Sequence, residues 1–307
     1  MKKITFLFLF TMCVATAVAT TIPVQYHKQR SLKNTASLSE VQNLQVFLSG
    51  AYSLVGFEGA PRTFVIDVAS PLVFGNRRDF RGFRQNVPIR NFVGGTIEQE
   101  SLGVHTHFRA MFGYSHRIIV GQTASLSFGV GGGVSTISSN FDRITNDYES
   151  AIRSIRETSF AYRFGARFDA DRLSVSVFNN DNDFMGEIVW GRLWNSDPRA
   201  ILNNHGGFSF NEERERRWNA QTAVLFRHNT ETKLNVVRFS ANATNGGFAI
   251  GISYQTDGDL SANVSLRLSR QLRIGYAYQL MSLNPMARKH EIVVKYRLVR
   301  SYDDRRF

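Results

Sequence analysis

The chain has 307 residues and carries 37 Lys and Arg against 25 Asp and Glu, a formal net charge of +12. Its single cysteine, Cys13, excludes a disulfide framework, and no apolar run long enough for a transmembrane helix follows residue 19. The basic excess fits nucleic acid, an acidic surface, or a basic lumen or rim, and the export signal described next removes the first of these.

Lys2 and Lys3 precede the apolar stretch ITFLFLFTMCVATAV, and Ala17–Ala19 offers the small residues a signal peptidase reads. Residues 1–19 are therefore expected to be a signal peptide, whose removal leaves no cysteine. The bulky residues before Cys13 make FTMC a poor lipobox. Residues 20–41 read as a polar N-terminal lead.

From about Leu44 onward the dominant period is two, the period of strands. Phe160, Tyr162, Phe164 and Phe168 alternate with Ala161, Arg163, Gly165 and Arg167. The same alternation runs through 248–255, 260–269, 272–279 and 291–298, and more weakly through 44–54, 62–69, 102–114, 123–131, 173–177, 218–226 and 234–241. Turn signals separate them: DADR after Phe168, NGG at 245–247 and TDGD at 256–259. Two further strands are expected within 75–100 and 185–215. The fold class is thus all-β, an antiparallel transmembrane barrel of roughly 12–14 strands over residues 42–299, with a polar tail at 300–307.

Two features favour a barrel over a soluble sandwich. The strands run to roughly 9–11 residues, the length that crosses a tilted bilayer. Their polar positions hold Gly, Ser, Ala, Asn, Gln and Arg, which suits a lumen, and their apolar series end in aromatics, as an interfacial girdle requires. An even strand number keeps both termini on the periplasmic side.

Chemistry-bearing clusters are few. His105 and His107 project to one face of a strand with Arg109, a pair zinc uses only with further ligands; a polar lumen row is the simpler reading. Asn179 to Asp183, NNDND, offers oxygens for calcium but also composes an ordinary turn. GVGGGV at 129–134 lacks the Lys-Ser/Thr pair of a phosphate cradle and implies close packing. No G-x-S-x-G is present. Arg163, Arg167, Arg267, Arg273 and Arg297 either select anions in a pore or pair with lumen carboxylates such as Glu291. No catalytic residue, metal site, cofactor or small-molecule substrate is expected.

The stretch GAYSLVGFEGAPRTFVIDVASPLVFGN resembles the early segment of the PorP/SprF family, outer-membrane proteins of the type IX secretion and gliding machinery. Matching positions are Gly56, Phe57, Gly59, Ala60, Pro61, Thr63, Pro71 and Leu72. IGYAYQLMSLNPMARKHEIVVKYRL is similar to the family's closing hairpin through Ile274, Gly275, Tyr276, Tyr278, His290, Glu291 and Ile292. Two departures stand out: NLQVFLSG replaces the family's N-P-x-Y-A-G tract, and Leu54 replaces an aromatic residue.

The resemblance implies a non-enzymatic barrel in the outer membrane. It implies lipid, periplasmic ring and motor components and the C-terminal domains of secreted cargo as partners, with surface adhesins among the cargo. The basic segments at 77–84 and 212–217 are either docking surfaces for such partners or plain solvated loops. The alternative function is a general or anion-selective porin; a barrel lipase is a third, with no motif behind it.

Overall fold

The structure, a computed structural model, describes residues 30–41, 43–53, 60–72, 90–120, 124–140, 155–170, 172–191, 219–269, 271–280 and 288–298. Fourteen strands follow one another in chain order: β1 (Gln45–Ser53), β2 (Arg62–Leu72), β3 (Asn91–Leu102), β4 (His105–Val120), β5 (Ala124–Ser139), β6 (Ile155–Ala170) and β7 (Leu173–Asn180). They continue as β8 (Asp183–Gly191), β9 (Asn219–Asn229), β10 (Asn235–Asn245), β11 (Phe248–Gln255), β12 (Leu260–Arg267), β13 (Leu272–Leu280) and β14 (Arg288–Arg297). Every neighbour is antiparallel, and β1 meets β14 to close the barrel.

The period of two sorts side chains as a membrane demands. On β6, Phe160, Tyr162, Phe164 and Phe168 are exposed on the outer wall, while Ala161, Arg163, Arg167 and Asp169 are buried inside. β11 repeats this with Ile250, Ile252 and Tyr254 outside against buried Ala249 and Ser253. The interior is therefore largely polar: Ser, Arg, Asp and Glu outnumber aliphatic residues among its buried side chains.

Both strands expected within weakly patterned stretches exist, as β3 and β8. The stretch 102–114, read from the sequence as one strand, contains the β3–β4 turn, where Gly103 takes a φ of 58°. Its left-handed backbone is what glycine tolerates and other residues resist.

The connections divide unequally between the two ends. At the terminal end, which β1 enters and β14 leaves, two are long, 73–90 and 192–218, and the rest are short. At the distal end the longest connects β5 to β6, residues 140–154. The basic segments 77–84 and 212–217 lie outside the described residues, but both belong to connections between strand ends at the terminal rim.

Candidate functional site: an occupied lumen and the strand seam

The polar lead ahead of β1 folds back into the barrel. Arg30–Leu32 and Thr35–Glu40 form two short 3-10 turns, and every residue from Arg30 to Ser39 is buried. Asn34 starts the second turn by accepting the Ala36 N–H at 3.0 Å through its side chain, and Leu38 O accepts the Val41 N–H at its end. Such turns stay short because their hydrogen-bond geometry is poor, so the wall rather than the helix must hold them.

The wall supplies charged and polar partners from several strands. Arg30 Nε donates to Glu187 Oε1 at 3.0 Å, and Ser31 Oγ donates to Asp67 Oδ2 at 3.0 Å. Lys33 Nζ lies 3.4 Å from both Glu98 oxygens. Burial holds Lys33 below the usual lysine range, and the Glu98 carboxylate beside it opposes that shift. Arg167 donates to Ser37 Oγ at 3.1 Å, to Asp169 Oδ1 at 2.7 Å, and to Glu40. Arg117 donates to the Ser39 carbonyl. Buried pairs of this kind add little net stability, but losing one partner leaves an uncompensated charge.

Two apolar contacts complete the seat. Leu32 packs with Phe47, Val65 and Val293, and Leu38 and Val41 pack with Ala69 and Phe92. Between them the inner wall is cut back to glycine. A Cβ on Gly129 would collide with the backbone of Thr35 and Ala36; one on Gly113 would stand 2.7 Å from Thr35 Cγ2, and one on Gly165 2.5 Å from Asn34 Oδ1. The glycine run at 129–134 is thus part of the surface against which the segment lies.

Beyond the segment, toward the distal end, arginines meet acids and amides. Arg109 lies 2.6 Å from Asp181, Arg163 Nε donates to Asn180 at 2.6 Å, and Arg227 Nε donates to Asp183 at 3.0 Å. These three contacts engage oxygens of the NNDND cluster, which forms the β7–β8 turn. His105 Nδ1 and His107 Nε2 each lie 2.7 Å from a serine hydroxyl of β5, Ser139 and Ser135. For Arg167, paired with Asp169 and Glu40, the pairing alternative therefore holds over the pore alternative, whereas Arg163 meets an amide oxygen rather than a carboxylate. Arg267 donates to the Ser269 carbonyl at 3.3 Å and sits opposite Arg273, which sits opposite Lys295, at the terminal rim.

The family-motif residues separate into three groups. Gly56, Phe57 and Gly59 lie outside the described residues. Ala60, Pro61 and Thr63 stand at the distal start of β2, and Pro71 and Leu72 end that strand at the other rim. His290, Glu291 and Ile292 lie on β14, and closure brings the two sequence ends together. Thr63 pairs with Ala51, and Ala51 pairs with Glu291, so β1 alone separates them. Glu291 is wholly buried and accepts from Ser49 Oγ at 3.2 Å. His290 faces outward, 2.7 Å from the Tyr276 hydroxyl. Sequence reasoning missed the carboxylates that seat the lead (Asp67, Glu98 and Glu187); a signal for the seat existed in the glycines on one face of β5.

A closed fourteen-strand barrel with an apolar outer wall and a polar, occupied interior defines an outer-membrane-type β-barrel protein. Among solved barrels, Omp33 of Acinetobacter baumannii matches with a TM-score of 0.49 at 6% identity, covering 83% of this chain and 98% of its own. A Rh. blastica porin variant (TM-score 0.37, 9% identity) and the KdgM porin (TM-score 0.37, 8% identity) each cover 83% of this chain and 99% of their own. A comparison with curated proteins finds no significant match. The model of the type IX secretion system membrane protein PorP/SprF matches residues 24–296, and the chain belongs to that family.

Proposed function

We propose that this protein is a non-enzymatic outer-membrane component of type IX secretion that helps export or anchor cargo such as surface adhesins by docking. Family membership supports the secretion role. The observation that favours docking over conduction is the occupied lumen: residues 30–39 lie buried inside the barrel and are tied to β2, β3, β4, β6 and β8. Docking then falls to the rims. The motif residues Ala60, Pro61 and Thr63 belong to the distal rim, while the basic connections at 77–84 and 212–217 belong to the terminal rim, which faces the periplasmic ring and motor in this reading.

Crosslinking in cells followed by partner identification tests it. Recovery of type IX ring components or a secreted cargo's C-terminal domain is the expected result. A large, persistently open, anion-selective conductance in planar bilayers, without such partners, would establish the porin instead.

A further inference from the structure

The barrel wall is uneven at its distal rim. β6 pairs with β5 along its full 16 residues, whereas β7 joins it only from Arg163 onward. β7 turns back at Asp181, whose N–H donates to Tyr162 O and whose side chain accepts the Tyr162 N–H at 2.7 Å. Tyr162 thus directs its backbone groups toward the β7 side. Backbone groups alternate sides along a strand, so Phe160, Thr158 and Arg156 direct theirs the same way. No strand among the described residues stands beside them.

This stretch, Ile155 to Ala161, runs about 20 Å at the usual strand rise. Every residue from Ile155 to Phe160 is exposed, and Phe160, at 73%, is the most exposed large apolar side chain among those described. About 9–11 residues suffice to cross a bilayer. The 16 of β6 carry its start past the lipid, where an open edge is tolerated as it is not inside hydrocarbon. Among the described residues the other strands overhang a neighbour by at most a few residues, so this longest open stretch at the rim is a template for another chain.

We propose that the β6 edge over residues 155–161 takes up an extended strand of an exported protein by β-augmentation. The proposal rests on the secretion reading for the kind of protein that reaches this rim. A second copy does not fit. Two barrels in one membrane are related by rotation about its normal, so both β6 strands descend together. Their tilt of roughly 35–45° then crosses them, and no ladder forms. The edge's outer face sets the chemistry of the incoming strand: an acid opposite Arg156 and an apolar residue opposite Phe160, four positions apart on one face.

The test places a photo-crosslinking benzoylphenylalanine at Arg156 in secreting cells, alone and combined with Thr158→Pro or Thr158→Ala. Proline at 158 removes an edge-facing N–H and leaves the β5 ladder whole, so the barrel keeps its heat-modifiable gel mobility. The expected result is a crosslinked peptide from an exported protein, at least fivefold weaker with proline and unchanged with alanine. Should the proline variant fail to fold, Phe160→Asp with the crosslinker at Thr158 is expected to give the same loss. Crosslinks to residues 141–154 of the same chain, to a second copy, or to lipid alone overturn the proposal. An exported partner unrelated to type IX secretion would support the edge and overturn the secretion reading. Intact type IX export with no crosslink at this edge would do the reverse.

Discussion

Arg30 donates to Glu187 at 3.0 Å across 157 residues of sequence. The contact fastens the start of the lumen segment to β8, on the opposite side of the strand order from β1, which the segment leads into. Removing either residue leaves the other a buried charge without this contact, Arg30 keeping its 3.6 Å approach to Glu40. Arg30→Glu or Glu187→Arg is expected to destabilise the folded barrel by about 3–5 kcal/mol, and the double swap to recover most of the loss. Gel mobility as a function of heating temperature measures both.

Conduction depends on the same segment. In planar bilayers the intact protein is expected to show no large, persistent opening. Deletion of residues 30–41 is expected to give stable openings with weak ion selectivity, because the distal lumen sets arginines against acids rather than presenting one sign of charge. Strong anion selectivity in the deletion variant would contradict this account.

The glycine wall offers a direct readout. The chain's one cysteine is Cys13, so in a Cys13→Ser background Ser37→Cys is a unique reporter on a residue that is 2% exposed. A maleimide is expected to label it in the folded barrel only when Gly129→Val displaces the segment. Labelling of Ser37→Cys without the valine would mean the seat is not occupied in solution.

The two motif ends predict different phenotypes. Glu291 is buried at the seam, so Glu291→Leu is expected to lower the amount of assembled barrel in outer-membrane fractions and export with it. Pro61 stands at the rim before β2, where proline costs no ladder bond, so Pro61→Ala should leave assembly unchanged. Any loss of export it causes, measured as surface cargo, then reports on docking.

The barrel was legible because lipid enforces alternation: on β6 an outward Phe or Tyr follows Ser159, Ala161, Arg163 and Arg167, and on β11 Ile or Tyr follows Ala249, Gly251 and Ser253. Where that contrast fades, the strand fades too. β3 places Gly95 and Gln99 outward and Gly94, Thr96 and Glu98 inward, leaving Val93 and Ile97 to carry the signal. β8 carries Gly186 on its outer face between Phe184 and Ile188, so the outward apolar series is broken there.

The occupied lumen was not legible, for a different reason. Residues 30–41 have no period, and their place is set by partners spread from Asp67 to Glu187. No local window contains both halves of such an interface. NNDND was legible as the turn it forms, but not its partners: Arg109, Arg163 and Arg227 stand on other strands, outside any local window.

Residues 42–44 join the buried segment to β1, so segment and wall are one covalent object. A linker that short holds its two ends at an effective concentration on the order of millimolar. Ionic contacts of small net worth are then enough to keep the interior filled, because re-entry after any excursion is intramolecular. A free peptide or solute competing for the same groove would have to match that local concentration before it displaced the resident chain.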